Sequence, residues 1–344
     1  MQLWRRLEAA IKTLSFESSK TTATRHCKDQ LWEEKSCKMF THNKLKIFIM
    51  FLSFAIYIIM VVFNVGAGTG LFKGIFHNSV GNISNKYNTG FTPAGGTFLI
   101  WNVIFLWQFA WLIYALSGIC RRNELGWVYM KPDLLPISFY LVWILNNILI
   151  VGWLFLWDRE YLIPALVFLA ALTLASYLCL FISHRSLSIH AAWFLKCHKV
   201  DLWLIRILVQ NGIALYATWT TIATLLNFTV VLVYEGNVSN KTATTISLCI
   251  LAIKLLIWFY VENFLLDKYV RYNLTIYPVV IIALIGSVCK NYSPSPPNTN
   301  SIFLVVLLVA ACVIFVIRLG IVIWRCCKRP LELLELPSTS ESTE

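Results

Sequence analysis

Apolar residues in this chain fall into long uninterrupted blocks. They do not show the alternation of a half-buried strand or the single stripe of a surface helix. Eight blocks stand out, at about 47–66, 94–119, 134–156, 161–183, 207–233, 243–265, 274–289 and 301–323. Most reach the roughly 20 residues that a helix needs to cross about 30 Å of hydrocarbon. The pattern predicts an all-α, polytopic helical membrane protein with about eight transmembrane helices. The alternating segments of about ten residues that build an outer-membrane barrel are not seen. The seventh block is the shortest and holds Pro278, which blurs its ends.

The polar stretches set the domain plan. Residues 1–46 are polar and basic with no apolar h-region, so they read as a cytoplasmic N-terminal segment and not as a cleavable signal peptide. Within them Leu3, Trp4, Leu7, Ile11 and Leu14 share one helical face opposite Arg5, Arg6, Glu8 and Lys12, which suits a helix lying on the membrane surface. Residues 17–46 read as a linker. Residues 324–344 read as a cytoplasmic tail, acidic and Ser/Thr-rich from 330 onward, with the composition of a disordered segment. Loop 67–93 is rich in Gly and Asn, and 290–300 is Pro-rich and extended. No internal repeat is visible, which argues against a transporter built from inverted halves.

Composition supports the membrane reading: 58% of residues are hydrophobic and 13% charged, against about 25% charged in a soluble domain. The net charge of +12 matters through its placement. With residues 1–46 inside and strict alternation, the inside segments 1–46, 121–131, 184–206, 266–273 and 324–344 hold 22 of the 29 Lys and Arg. The outside loops hold only Lys73, Lys86, Arg159, Lys241 and Lys290. That asymmetry follows the positive-inside rule and puts both termini in the cytoplasm. A nucleic-acid partner is not needed to explain the charge. Asn82, Asn237, Asn240 and Asn291 begin N-x-S/T sequons, all in loops assigned outside, and are glycosylation candidates. Asn227 and Asn273 begin further matches, one in a span and one inside. The outside set favours a plasma-membrane or endomembrane protein over a mitochondrial one. The ten cysteines form no disulfide framework. Cys326 and Cys327 directly follow the last block beside basic residues, which fits either palmitoylation or a pair of unmodified thiols.

The fifth block contains "LYATWTTIATLLN", residues 215–227, too polar for a helix facing lipid. At 100° per residue, Tyr216, Trp219, Thr220, Ala223, Thr224 and Asn227 share one face. Ala217, Thr218, Thr221, Ile222 and Leu225 lie opposite. A polar stripe in a span must face other helices or a cavity, because lipid satisfies no hydrogen bond. Two readings fit: helix–helix packing through small and polar groups, or a ligand cavity walled by Tyr216 and Trp219 with Asn227 as a polar contact.

The spacing Tyr216-x-x-Trp219-x-x-Ile222-Ala223-x-x-Leu226-Asn227 resembles the fifth-helix pattern of the TspO/translocator-protein family, the tryptophan-rich sensory proteins. "FTPAGGTFLIWNVIFLWQFAWLIYAL", 91–116, is similar to that family's loop and second helix, through Phe91, Pro93, Phe98, Trp101 and Phe105. The two stretches lie in the second and fifth blocks, in the family's order. The resemblance implies a five-helix bundle over 47–233; the three additional helices over 234–323 come from the apolar blocks and have no counterpart in a five-helix member. It implies an intramembrane pocket for a tetrapyrrole, a sterol or a drug-like aromatic, drawing on Trp101, Phe105, Tyr216, Trp219, Ala223 and Asn227. The sequence departs from the family pattern at Gly96, where a Trp is usual. It departs again at Asn146 and Asn147, from which the next Trp, Trp153, is two turns away. The cholesterol-type motif after the fifth helix is also missing.

Other residues add candidates. Trp127, Trp157 and Trp324 sit at block ends, as interfacial belts require; Trp101, Trp107 and Trp143 are deeper. Lys254 lies mid-span in the sixth block, where a charge is costly and marks a site or a snorkelling chain. Glu262 is two turns below it. Arg318 is near enough to the inner surface to snorkel. His184, His190 and His198 share an inside segment with Cys197 that reads as a polar loop, without metal-ligand spacing. Gly66 to Gly70 fits G-x-x-x-G but runs into a loop. No catalytic motif is recognisable, so an enzyme is not expected. The sequence predicts a binding protein, sensory or carrier, whose ligand-binding residues include Asn146 and Lys254 beside the aromatic set. No cofactor is expected beyond a bound tetrapyrrole or sterol acting as ligand. The bilayer, a hydrophobic small molecule and a second copy of the chain are the candidate partners. A channel or transporter using Lys254, Asn146 and Asn147 along a polar path is the alternative.

Overall fold

The structure, a computed structural model, describes residues 41–70, 72, 74–292 and 298–328. The amphipathic stretch 1–16, the linker up to residue 40 and the tail beyond Lys328 lie outside them. Every apolar block forms helix, since only a helix or a closed barrel satisfies its own backbone in hydrocarbon. In order these are α1 (Lys44–Thr69), a short α2 (Val80–Lys86), a 3₁₀ turn (Gly95–Leu99) leading into α3 (Ile100–Ser117), α4 (Ile137–Asp158) and α5 (Leu162–Cys197). Then α6 (Lys199–Leu204) runs through a π-turn, Ile205–Gln210, into α7 (Asn211–Tyr234). The last set is α8 (Asn240–Tyr260) with a π-turn Val261–Leu265, a short α9 (Asp267–Val270), α10 (Ile276–Asn291) and α11 (Thr299–Lys328). A two-residue ladder, Arg122–Asn123 against Gly126–Trp127, follows α3.

Seven of these helices are long and apolar enough to cross a membrane; α10, at 16 residues, is the shorter eighth. At 1.5 Å per residue it spans about 24 Å, and Pro278 is tolerated because it falls in the first turn. Local signals set several ends. Asn43 accepts from the Lys46 amide at 3.0 Å to start α1. Gly70, at φ 71°, closes α1 in a conformation a side chain would resist.

α1, α3, α4, α5 and α7 form a five-helix bundle. Gly152 lets α4 approach α5: a Cβ there would stand 2.5 Å from the Phe168 ring. The remaining helices do not make a separate bundle. α8 and α10 pack directly on α7, and α11 closes over α8 and α10. The fifth helix is therefore the shared wall of both halves. Asn211 locks the joint: its Nδ2 donates to the Arg206 and Tyr272 carbonyls at 2.9 and 2.7 Å, and its Oδ1 accepts from the Leu274 amide. The loop before α3 is held by α10. Ser287 Oγ donates to the Phe91 carbonyl, the Ala94 amide donates to the Gly286 carbonyl, and a Cβ on Gly286 would strike Thr97.

Two expectations are corrected. Residues 184–206 are helical apart from a break at His198, not a polar loop. They contain no Gly or Pro, and Leu187, Ala191, Phe194 and Leu195 continue the buried face of α5. At 36 residues α5 is about 54 Å long, well beyond the hydrocarbon thickness. Arg318 does not snorkel. It is 0% exposed, donates to Asn263 Oδ1 at 2.8 Å and to the Val270 and Arg271 carbonyls, and pairs with Glu262 at 3.4 Å. Glu262 is equally buried and accepts from the Tyr277 hydroxyl. A fully enclosed guanidinium is stable only with such partners.

Asp267 ties the ends of these helices together, pairing with Arg271 at 2.5 Å and with Arg325 of α11 at 2.6 Å. Burial pushes its carboxyl up, but hydrogen bonds from Arg271 and Arg325 outweigh that and hold it below its ordinary value.

Two outcomes follow. Arg318→Met leaves Glu262 as an unpaired buried carboxylate and lowers stability by about 3–5 kcal/mol, while Glu262→Gln combined with Arg318→Met recovers much of it; thermal unfolding in detergent measures both. Asp267 contributes above the ordinary carboxylate range, and that contribution is lost as pH falls through its depressed value. Amide exchange across 266–275 should therefore accelerate below about pH 4, and Asp267→Asn should flatten that dependence.

Candidate functional site

The threonines of α7 first answer to the backbone. Thr218, Thr220, Thr221 and Thr224 each donate to a carbonyl three or four residues earlier. Two of them also reach across to α5: Thr224 Oγ1 lies 3.1 Å from Thr173 Oγ1, and Thr221 Oγ1 lies 2.5 Å from the Tyr177 hydroxyl. These four threonine hydroxyls are thus satisfied without lipid.

A cavity lies on each side of α7. The first is on the aromatic face, is about 50 Å³, and is lined by Trp101, Trp153, Trp157, Trp219, Ala223 and Asn227 among others. Trp101 stacks on Phe105 at 5.3 Å and meets Tyr216 and Trp219 edge-on at 6.2 and 6.1 Å. Tyr216 also meets Trp143, which meets Trp111. The rings fill most of the space between them. The remaining volume is of the order of one or two waters at about 30 Å³ each. Trp153 Nε1 donates to Asn227 Oδ1 at 3.4 Å, while the buried Trp219 Nε1 has no hydrogen-bond partner among the described residues.

The second cavity is on the opposite face, is about 840 Å³ and is open along one side. Ala214, Ala217, Thr218, Thr221 and Ile222 of α7 form its back wall. α5 supplies Tyr177 to Ile189 positions, α8 supplies Leu251, Lys254, Leu255, Ile257 and Trp258, and the α9–α10 region closes the end with Tyr269, Asn273 and Ile276. The small residues at 214, 217, 218 and 221, one helical turn and then another apart, leave the volume. His184, expected in a loop, is buried in the wall with Nε2 3.0 Å from Asn273 Nδ2.

The expected ligand residues therefore divide. Trp101, Trp219, Ala223 and Asn227 line the small aromatic cavity. Phe105 and Tyr216 are packed behind it and line neither space. Asn146 is wholly buried between α4 and α5, donating to the Leu172 carbonyl at 3.0 Å and Ser176 Oγ at 2.8 Å. Asn147 donates to the Trp143 carbonyl of its own helix. Neither Asn lies with Lys254, so the structure does not bring the three to one polar path. Lys254 lines the large groove alone of the expected set. Gly96 is exposed, away from the aromatic cavity, and a Cβ there would meet nothing within 4 Å. Among the described residues, no three His, Cys, Asp or Glu side chains converge as metal ligands.

The modification candidates are also placed. Asn82, Asn237 and Asn240 are exposed at one end of the bundle, with Asn240 Oδ1 accepting from the Gly90 amide. Asn291 is at the same end, and its Nδ2 donates to the Thr92 and Ser287 carbonyls. At the other end Cys327 is exposed, and Cys326 Sγ lies 3.8 Å from the Tyr272 hydroxyl.

The sequence profile of the TSPO-like protein family matches residues 49–320, which covers the five-helix bundle and most of the added helices. No curated protein and no solved structure gives a significant match.

Asn146→Leu should lower stability by about 1 kcal/mol, by stripping the partners from Ser176 and Leu172. Gly96→Ala should stay within about 0.5 kcal/mol of the parent. Thermal unfolding of the two variants side by side checks the assignment of Asn146 to packing.

Proposed function

The chain belongs to the TSPO-like protein family, and on that premise we propose that it is a membrane binding protein for a hydrophobic small molecule. It acts as sensor or carrier, and not as an enzyme. The observation that carries the reading is the 840 Å³ groove on α7. Drug-sized ligands occupy apolar pockets of about 300–1,000 Å³ with few polar groups. The aromatic cavity, at about 50 Å³, holds no such molecule in this conformation. The binding face of the fifth helix is thus the side that faces α5 and α8, and the tryptophan side is the rigid wall behind it. The open side of the groove lets a ligand arrive from the bilayer. The end bearing Asn82, Asn237 and Asn240 is proposed to face outward in a plasma-membrane or endomembrane setting, with the basic end in the cytoplasm.

A neutral aryl-diazirine probe, photolysed with the protein in nanodiscs and mapped by mass spectrometry, tests the site. Labelling should concentrate on 177–189, 214–222 and 251–258, and Thr218→Trp, which fills the groove, should reduce it at least about fivefold at a pocket of this size. Labelling spread evenly over all lipid-facing residues would contradict the reading.

A further inference from the structure

The groove carries a charge pattern that the binding proposal does not use. Lys254 lies in mid-span, about 16 Å from the end of its helix at Leu265 by the helical rise, and it makes no hydrogen bond or ion pair with any described residue. Arg185 lines the same groove nearer the basic end, is exposed, and likewise has no side-chain partner among the described residues. Among the described residues, no Asp or Glu lines the groove. The nearby carboxylates are already engaged, Glu262 with Arg318 and Tyr277, and Asp267 with Arg271 and Arg325. An ammonium at that depth is costly unless something answers it. Lys254 is exposed, whereas among the described residues an enclosed charge such as Arg318 has answering groups.

Resting on the groove as the binding site, we infer that its ligand is an anionic amphiphile: a monocarboxylic acid on a long apolar body, taken from the bilayer, with its carboxylate on Lys254. The wall of α5 that lines the groove, Tyr177 to Ile189, runs about 18 Å, long enough to hold an extended hydrocarbon. The depth of Lys254 selects the head group. A phospholipid phosphate stays at the interface, where it meets Arg185 and not Lys254. A carboxylate carried by the apolar body itself reaches mid-span, where a buried charge is tolerated only when it is paired. Lys254 supplies a point charge for it, and the apolar groove wall supplies the rest of the contact.

The test is displacement of the aryl-diazirine label from the groove in neutral phosphatidylcholine nanodiscs. Oleic acid, oleyl alcohol and a short-chain phosphatidylglycerol are the competitors. In the parent protein oleic acid should displace the label at a concentration at least tenfold below that of the alcohol. Lys254→Met should bring the two together, and Lys254→Arg should keep them apart. Equal displacement by acid and alcohol in the parent would overturn the inference while leaving the groove as a binding site. Displacement by phosphatidylglycerol alone, lost in Arg185→Met and kept in Lys254→Met, would overturn it in favour of a lipid head group. A label that is absent from the groove at the outset would overturn both this inference and the binding proposal.

Discussion

The whole arrangement depends on one constraint: α7 has protein on both sides, so the threonine hydroxyls and asparagine amides it carries must be answered inside the protein. Its hydroxyls bond back to its own carbonyls, and Thr221 and Thr224 bridge to α5. Asn211 holds the chain entering α10. In hydrocarbon each unanswered group would cost several kcal/mol. The constraint explains why this span tolerates a composition that a lipid-facing helix would reject. It also explains why α8 and α10 pack on α7: they cover a side that a five-helix bundle alone would leave to lipid.

Burial on two sides lets the two faces of one helix do different work. The aromatic face is filled by rings meeting edge-on and stacked, an arrangement that leaves little room. The opposite face is built from Ala and Thr, and shape there creates space. Sequence motifs draw attention to large side chains such as Trp and Tyr, whereas open volume is made where side chains are small.

Much of the architecture was legible in the sequence. All eight apolar blocks became helices, and the family pattern in 91–116 and 215–227 pointed to the TSPO-like family that the profile match shows. Residues 184–206 were misread because their polar residues hid a continuing apolar face with no helix breaker. Arg318 was misread because hydropathy gives depth along one helix but not the neighbour across from it; Glu262, 56 positions earlier, becomes its partner only through tertiary packing. The rings of Trp101, Phe105, Tyr216 and Trp219 do meet. What the sequence could not give was the free volume among them. A signal for the other cavity was present in the repeat of small residues at Ala214, Ala217, Thr218 and Thr221, on the face set aside as the back of the stripe.

The most direct measurement of this two-faced helix is oxygen accessibility of spin labels in nanodiscs, on a background with the native cysteines replaced. Thr218→Cys places a label in the groove and Ala223→Cys places one at the aromatic cavity. A label at 218 that is relaxed by oxygen from the bilayer, with a label at 223 that is shielded, is the predicted result. A shielded label at 218 and an accessible one at 223 would contradict it, returning the open site to the tryptophan face.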